Sequence, residues 1–273
     1  MRFLQATFLF TTIVCGSCGS KDKKNSTSKD IFTADTTHTP YKYAQLHYTE
    51  KGFALTGKYA AAIPVGILGN TTGKIFTSKT TGVTESIEDD FEGEAVTVTH
   101  LDKKLPDDAP FSDMLAVLNY TDQSYSLVAT DTITDTKVID SLKRLVINSG
   151  ALKTLYTETR ETHKFDAYAK KLFERAKEKT PKVVKLQIPG LSAFLLSYVL
   201  DEKYNPENDS SPVLIVINGK AYTASGPCGG VTSVYKLGDN YFINSEWTYC
   251  FQDVSWRIVF EIRADGLKQE VMF

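Results

Sequence analysis

The sequence predicts an α+β protein, mostly antiparallel β-sheet, with two helices in the middle of the chain packed on one face. Three observations predict it. Short runs rich in β-branched and aromatic residues, broken by Gly, Pro, Asn and Asp, occupy residues 41–136 and again the chain beyond Pro181, the pattern of strands joined by tight turns. Between them, two stretches repeat apolar residues at helical spacing. Asn218-Gly219, set between PVLIVI and KAYTAS, is a dipeptide that accepts the positive φ values of a two-residue hairpin. No fixed period points to a propeller or solenoid.

The chain opens on MRFLQATFLFTTIVCGSC. Arg2 precedes an uncharged run at residues 6–14, and small residues surround Cys18, the three-part layout of an export signal. The run is about half of the ~20 residues a spanning helix needs, so a cleaved signal is favoured over a permanent span.

Gly16 and Ser17 before Cys18, with Gly19 and Ser20 after it, resemble the lipobox of bacterial lipoproteins. The resemblance covers residues 1–18 alone. It implies a cut between Ser17 and Cys18, with residues 1–17 a signal peptide and Cys18 a lipidated N-terminus. It also implies a membrane-anchored place in the cell envelope, at the outer membrane. Three residues before the lipid-bearing cysteine the family has an aliphatic side chain, and this chain has Cys15. Lipid on Cys15 would put bulky Val14 before the cut. An ordinary secretory signal, the other alternative, would leave a soluble secreted protein.

Residues 19–40 are polar and rich in Lys, Ser, Thr and Asp. Such a stretch buries too little to offset the entropy of ordering, and residues 18–40 read as a lipidated terminus with a flexible tether. Its r.m.s. reach is on the order of 25 Å. Residues 41–273 remain as the folded region, enough for one large domain or two small ones: a β-rich half at 41–136, then helices and an antiparallel meander at 137–273. Loss of the signal, with its single arginine, takes the net charge from −2 to −3. Near-neutrality with mixed signs speaks against a nucleic-acid partner.

From residue 41 the runs LHYTEKGFALTGKYAAAIPVGI, GKIFTSKTTGV and AVTVTHL read as short strands. MLAVLNYTDQSYSLVATDTI reads as two strands joined by a turn at residues 121–124. The run ESIEDDFEGE, residues 85–94, gathers six carboxylates. Its spacing is that of no known calcium loop and its charge suits a solvated surface; the oxygen-rich loop 205–211 has the same reading. No metal site is expected at either.

Near residue 135 the period changes. Val138, Leu142, Leu145 and Val146 recur at helical spacing and Gly150 supplies a stop. Residues 162–179 carry a second stripe of Phe165, Tyr168, Leu172, Phe173 and Ala176, ended by Pro181. Beyond it KVVKLQI and LSAFLLSYVL flank Pro189-Gly190, the second run being a strand or a buried helix. After the Asn218 hairpin come VTSVYKL and YFINSEWTYCF around Gly238-Asp239-Asn240. VSWRIVFEI and a turn at Asp265-Gly266 close the series. The expectation is one antiparallel meander over residues 213–273 with one dry face.

Two of the four cysteines fall in the signal, so the exported region keeps Cys228 and Cys250. In an oxidising compartment this pair is most simply a disulfide, closing a loop that contributes roughly 3 kcal/mol. Free thiols are the alternative, as is Cys228 acting as a nucleophile in SGPCGG, for which His47, His100 and His163 offer no local partner.

The chain has no GxSxG turn, P-loop, dinucleotide fingerprint or histidine-rich metal spacing. No catalytic residue and no cofactor is therefore assigned. The expected function is a non-catalytic binding or assembly module, anchored to the membrane by its lipid and recognising an envelope protein or glycan. Tyr235, Tyr241, Trp247 and Tyr249 are the candidate binding aromatics, because rings on an exposed face stack on sugars or anchor a protein contact. An envelope hydrolase built on Asp and Glu groups is the alternative.

Overall fold

A computed structural model describes residues 41–49, 52–56, 63–70, 72–86, 94–101, 114–121, 123–157, 163–198, 212–248 and 255–272. Cys15, Cys18, the tether, the loop 205–211, Tyr249 and Cys250 lie outside them, as does the acidic run apart from its ends. Residues from Pro40 to Phe273 form one compact unit.

The first six strands are β1 (Lys42–Thr49), β2 (Gly52–Thr56), β3 (Pro64–Gly69), β4 (Lys74–Ser86), β5 (Glu94–Leu101) and β6 (Met114–Leu118). They close an antiparallel barrel in the order β1-β2-β5-β4-β3-β6, with β6 pairing both β3 and β1. In β6, Met114 and Ala116 point inward with Leu46, Leu55, Ile67 and Phe76, filling the bore as small barrels are filled. Leu115 and Val117 alternate outward, with Tyr43 and Leu68, into a second core. Gly66 lies beneath the Tyr120 ring, where a Cβ would come within 2.6 Å of Cγ. Tyr120 is pinned there by its hydroxyl, which donates to the Gln123 carbonyl at 2.7 Å and accepts from Gln123 N at 3.1 Å.

Two further sheets follow. The first contains β9 (Lys182–Leu186), β10 (Ala193–Ser197), β11 (Val213–Ile217) and β12 (Lys220–Thr223); the second contains β13 (Val231–Leu237), β14 (Asn240–Thr248), β15 (Ser255–Arg263) and β16 (Gly266–Met272). The segment leaving the barrel serves both. Its β7 (Tyr125–Leu127) pairs with β13 and its β8 (Thr130–Thr132) with β9. Between them, Val128 N donates to the Val234 carbonyl and Ala129 O accepts from Gln187 N, each at 2.9 Å.

Helices α1 (Thr136–Asn148), α2 (Ala151–Thr157) and α3 (His163–Glu178) complete the fold. Asp135 caps α1 by accepting from Lys137 N at 2.9 Å, satisfying one of the donors that a helix start leaves open. Val146, Leu152, Leu155 and Ala176 pack on Val183, Leu196, Leu214 and Val216 of the first sheet. That sheet's other face, with Leu195, Val213, Ile215 and Ile217, meets Val234, Ile243, Ile258 and Phe260 of the second. The second sheet's far side, with Tyr235, Leu237, Phe242 and Val259, meets the barrel exterior. The order of layers is helices, sheet, sheet, barrel.

The α+β class with mostly antiparallel sheet is what the sequence predicts, and several details differ. A third helix, α2, is present; seven residues are too few to show a period. Residues 213–273 are divided between two sheets instead of forming one meander, and each sheet is covered on both faces. β6 and β7 are not a hairpin: one closes the barrel and the other joins the second sheet. The run after Pro189-Gly190 is the strand β10, paired with β9 and β11.

Candidate functional site

The site grows from the hairpin of β11 and β12. Asn218 and Gly219 take φ values of 48° and 79°, the left-handed pair that the dipeptide accepts. The Asn218 side chain then ties three turns together. Its Oδ1 accepts from Ser192 N at 3.1 Å and its Nδ2 donates to the Ala264 carbonyl at 3.0 Å. Tyr222 adds a third tie by donating from its hydroxyl to the Asp265 carbonyl at 2.7 Å. These bonds hold β12 and β16, edge strands of different sheets, in contact.

The elbow between α1 and α2 covers this junction. Gly150 turns it with φ 80°. The Ser149 hydroxyl donates to the Val146 carbonyl at 3.0 Å and accepts from Ala151 N at 3.3 Å, so the end of one helix and the start of the next share one side chain. Between elbow and sheet edges lies a cleft of about 380 Å³. One wall is Ser149, Ala151 and Thr154; the other is Phe260 and Leu267; Ala221, Tyr222 and Thr223 of β12 lie between. None of these residues carries a carboxylate, imidazole or amine. Because the Ser149 and Tyr222 hydroxyls already donate within the fold, only their remaining acceptor capacity is left for a ligand.

Of the aromatics singled out from the sequence, the three among the described residues, Tyr235, Tyr241 and Trp247, do not line this cleft. Tyr235 is fully buried, stacked on Phe242 with centroids 5.5 Å apart, and its hydroxyl donates to that of Tyr43 at 3.4 Å. It is a core ring between sheet and barrel, which corrects the expectation of an exposed one. The alternation of VTSVYKL is genuine, but Val234 and Tyr235 face two different covered layers. Burial pushes the phenols of Tyr235, Tyr43 and Tyr125 above their ordinary range. Tyr241 and Trp247 are half-buried against the core between the sheets. Lys236 Nζ stands 5.9 Å from the Tyr241 ring centroid, and Trp247 lies opposite Trp256 in register. Cys228 is half-buried against the core beneath the helices, and Cys250 lies outside the described residues.

Two buried polar residues stand apart from these networks. Ser233 and Asn244 are cross-strand partners on β13 and β14, 8% and 0% exposed, and the Ser233 hydroxyl and both Asn244 amide atoms make no hydrogen bond. Among the described residues no three His, Cys, Asp or Glu side chains converge on a metal position, and no helix is long and apolar enough to cross a membrane.

The fold and cleft define a four-layer α+β protein with a two-walled recess where the edges of two sheets meet. No family model, curated protein or solved structure matches the chain.

The cleft residues escaped sequence reasoning because they come from four separate places: the α1–α2 elbow, β12, β15 and β16. The one signal pointing there was Asn218-Gly219, which fixes β12 as a strand without saying that it lies at an edge.

Proposed function

We propose that the protein is a membrane-anchored lipoprotein of the bacterial cell envelope, at the outer membrane, held by lipid on Cys18. Its folded region is a non-catalytic binding module for an envelope protein or glycan. The observation that carries the binding reading is the lining of the cleft. It offers the Ser149 and Thr154 hydroxyl groups on one wall and an aromatic and an aliphatic side chain on the other, a combination that orients and desolvates a ligand. A hydrolase would need acid and base groups in reach of the scissile bond, and this lining supplies neither. The polar tether lets the module work away from the bilayer while remaining tied to it. A disulfide between Cys228 and Cys250 belongs to the same reading, since export delivers the chain to an oxidising compartment.

The test has two arms. Labelling with a palmitate analogue should mark the wild-type protein in the membrane fraction, and Cys18→Ser should remove the label and release the protein. A label that persists moves the anchor to Cys15; a wild-type protein that takes no label overturns the lipoprotein reading. In the second arm, wild type and the cleft-filling variant Thr154→Trp are used to capture partners from detergent-solubilised envelopes. Identical captures from the two proteins would overturn the cleft as the binding site.

A further inference from the structure

We infer that the cleft receives its ligand as an added β-strand. The ligand is an extended segment of a partner protein, alternating large apolar with small polar side chains, which pairs with the open edge of β12. This rests on the reading of the cleft as a binding site and goes beyond it by naming the class of ligand.

The phase of the β11–β12 ladder decides which backbone groups are open. In an antiparallel pair, residues that exchange both backbone bonds with the residue opposite alternate with residues whose N–H and C=O point away. Ala224 N donates to the Val213 carbonyl at 3.0 Å, which makes that pair a bonded one. Two steps back in register Tyr222 bonds to Ile215, and two further Lys220 bonds to Ile217; Thr223 and Ala221 are the alternate residues. Their N–H and C=O groups turn outward, on the side where β12 has no neighbouring strand. Both residues line the cleft. Four backbone groups, spread over about 7 Å of strand, therefore open into it.

Donors and acceptors alternating at that two-residue repeat match the backbone of another extended polypeptide. A second copy of this chain is a poor occupant: its β12 is flanked by its own α1–α2 elbow and β16, and two recessed edges cannot come alongside each other. A lone strand can. Added beside β12, it would extend a sheet covered by helices on one face and by the second sheet on the other. Its side chains would alternate between Ser149 and Thr154 on one wall and Phe260 and Leu267 on the other, which sets the alternating preference.

The probe is an end-blocked heptapeptide of alternating Val and Thr, together with two versions N-methylated on one or the other alternate set. Amide exchange and NMR shifts are followed on the full-length protein. In the free protein the amides of Ala221 and Thr223 should exchange fast while that of Tyr222 is protected. The peptide should slow both, and methylation of one set, but not of the other, should abolish the effect. Thr223→Pro removes an outward N–H without touching the ladder to β11 and should weaken binding about tenfold, the size of one or two net hydrogen bonds. The methylated peptides carry the test if that variant does not fold. Binding insensitive to methylation overturns strand addition and leaves the cleft a binding site. Soluble glycan strands stripped of their stem peptides that shift the cleft resonances where the peptide does not would replace the peptide with a glycan. If neither probe shifts them, the reading of the cleft falls as well.

Discussion

The ring of Tyr222 lies against the backbone of Gly266, so closely that a Cβ on residue 266 would stand 2.9 Å from Cε1 and Cζ. Gly266 also has φ +151°, a conformation that L side chains rarely adopt. Space and backbone angle both demand glycine at the point where two sheet edges meet.

Gly266→Ala should cost ~1–3 kcal/mol in denaturant unfolding. Adding Tyr222→Ala should recover the steric part and leave the backbone part, giving a clear coupling energy. Strict additivity of the two substitutions would show that the ring and residue 266 are not in conflict.

Asn218 separates conformation from hydrogen bonding. Asn218→Gly keeps the positive φ and loses the bonds to Ser192 and Ala264 made by the side chain, so a loss of about 1–2 kcal/mol is expected. Asn218→Ala loses the bonds and strains the turn, and should be worse by about a further 1 kcal/mol. Equal midpoints for the two variants would contradict the turn geometry.

Ser233 and Asn244 should be better replaced than kept. A buried polar atom without a partner carries an uncompensated desolvation cost of about 1–3 kcal/mol. Ser233→Ala is expected to raise the unfolding midpoint, and Asn244→Leu to do so if the larger side chain packs. A drop for Ser233→Ala would reveal bound water satisfying the pair.

Alkaline pH should destabilise the fold through its buried phenols. Burial pushes Tyr198 up to about 12, while an unfolded tyrosine ionises near 10. Below about pH 10 both states are neutral and this stabilisation is whole; above it the unfolded chain releases a proton that the folded chain keeps. Stability should therefore fall by about 1.4 kcal/mol per pH unit for each such tyrosine, for Tyr198 until its folded pKa of about 12 is reached. Unfolding curves across that window test this, and Tyr198→Phe should make the fall shallower. A flat profile would count against burial as the cause.

Reduction should lower stability by roughly 3 kcal/mol if Cys228 and Cys250 are joined. Intact mass with an alkylating agent, before and after reductant, distinguishes the pair: without reductant neither thiol should be labelled.

The elements with strong local chemistry were legible in the sequence. Val138, Leu142, Leu145 and Val146 marked α1, and Asn218-Gly219, Gly238-Asp239 and Asp265-Gly266 marked three hairpins that the structure contains. What local chemistry does not encode is which strands share a sheet. VLIVI of β11 is buried at every position, a sign of a strand covered on both faces, yet the same run suits a meander with one dry side. Tyr235 was misplaced for the same reason: alternation tells that Val234 and Tyr235 point apart, not that a barrel waits on the far side. The cleft depends on β12 and β16 being edges, a property of the whole topology and of no single segment.

The segment that carries β7 and β8 also sets an order of assembly. Every strand of the barrel lies within the chain's first 118 residues, so the barrel can close while the remainder is still emerging, whether from a ribosome or from an export channel. β7 has no partner until β13 appears more than a hundred residues later, with Leu127 waiting for Tyr235. Closing so long a loop is slow. Until then the barrel's outer apolar face, with Leu68, Leu115 and Val117, stands uncovered. The interval between barrel closure and the arrival of the last sheet is when this chain is most open to aggregation and most in need of a chaperone.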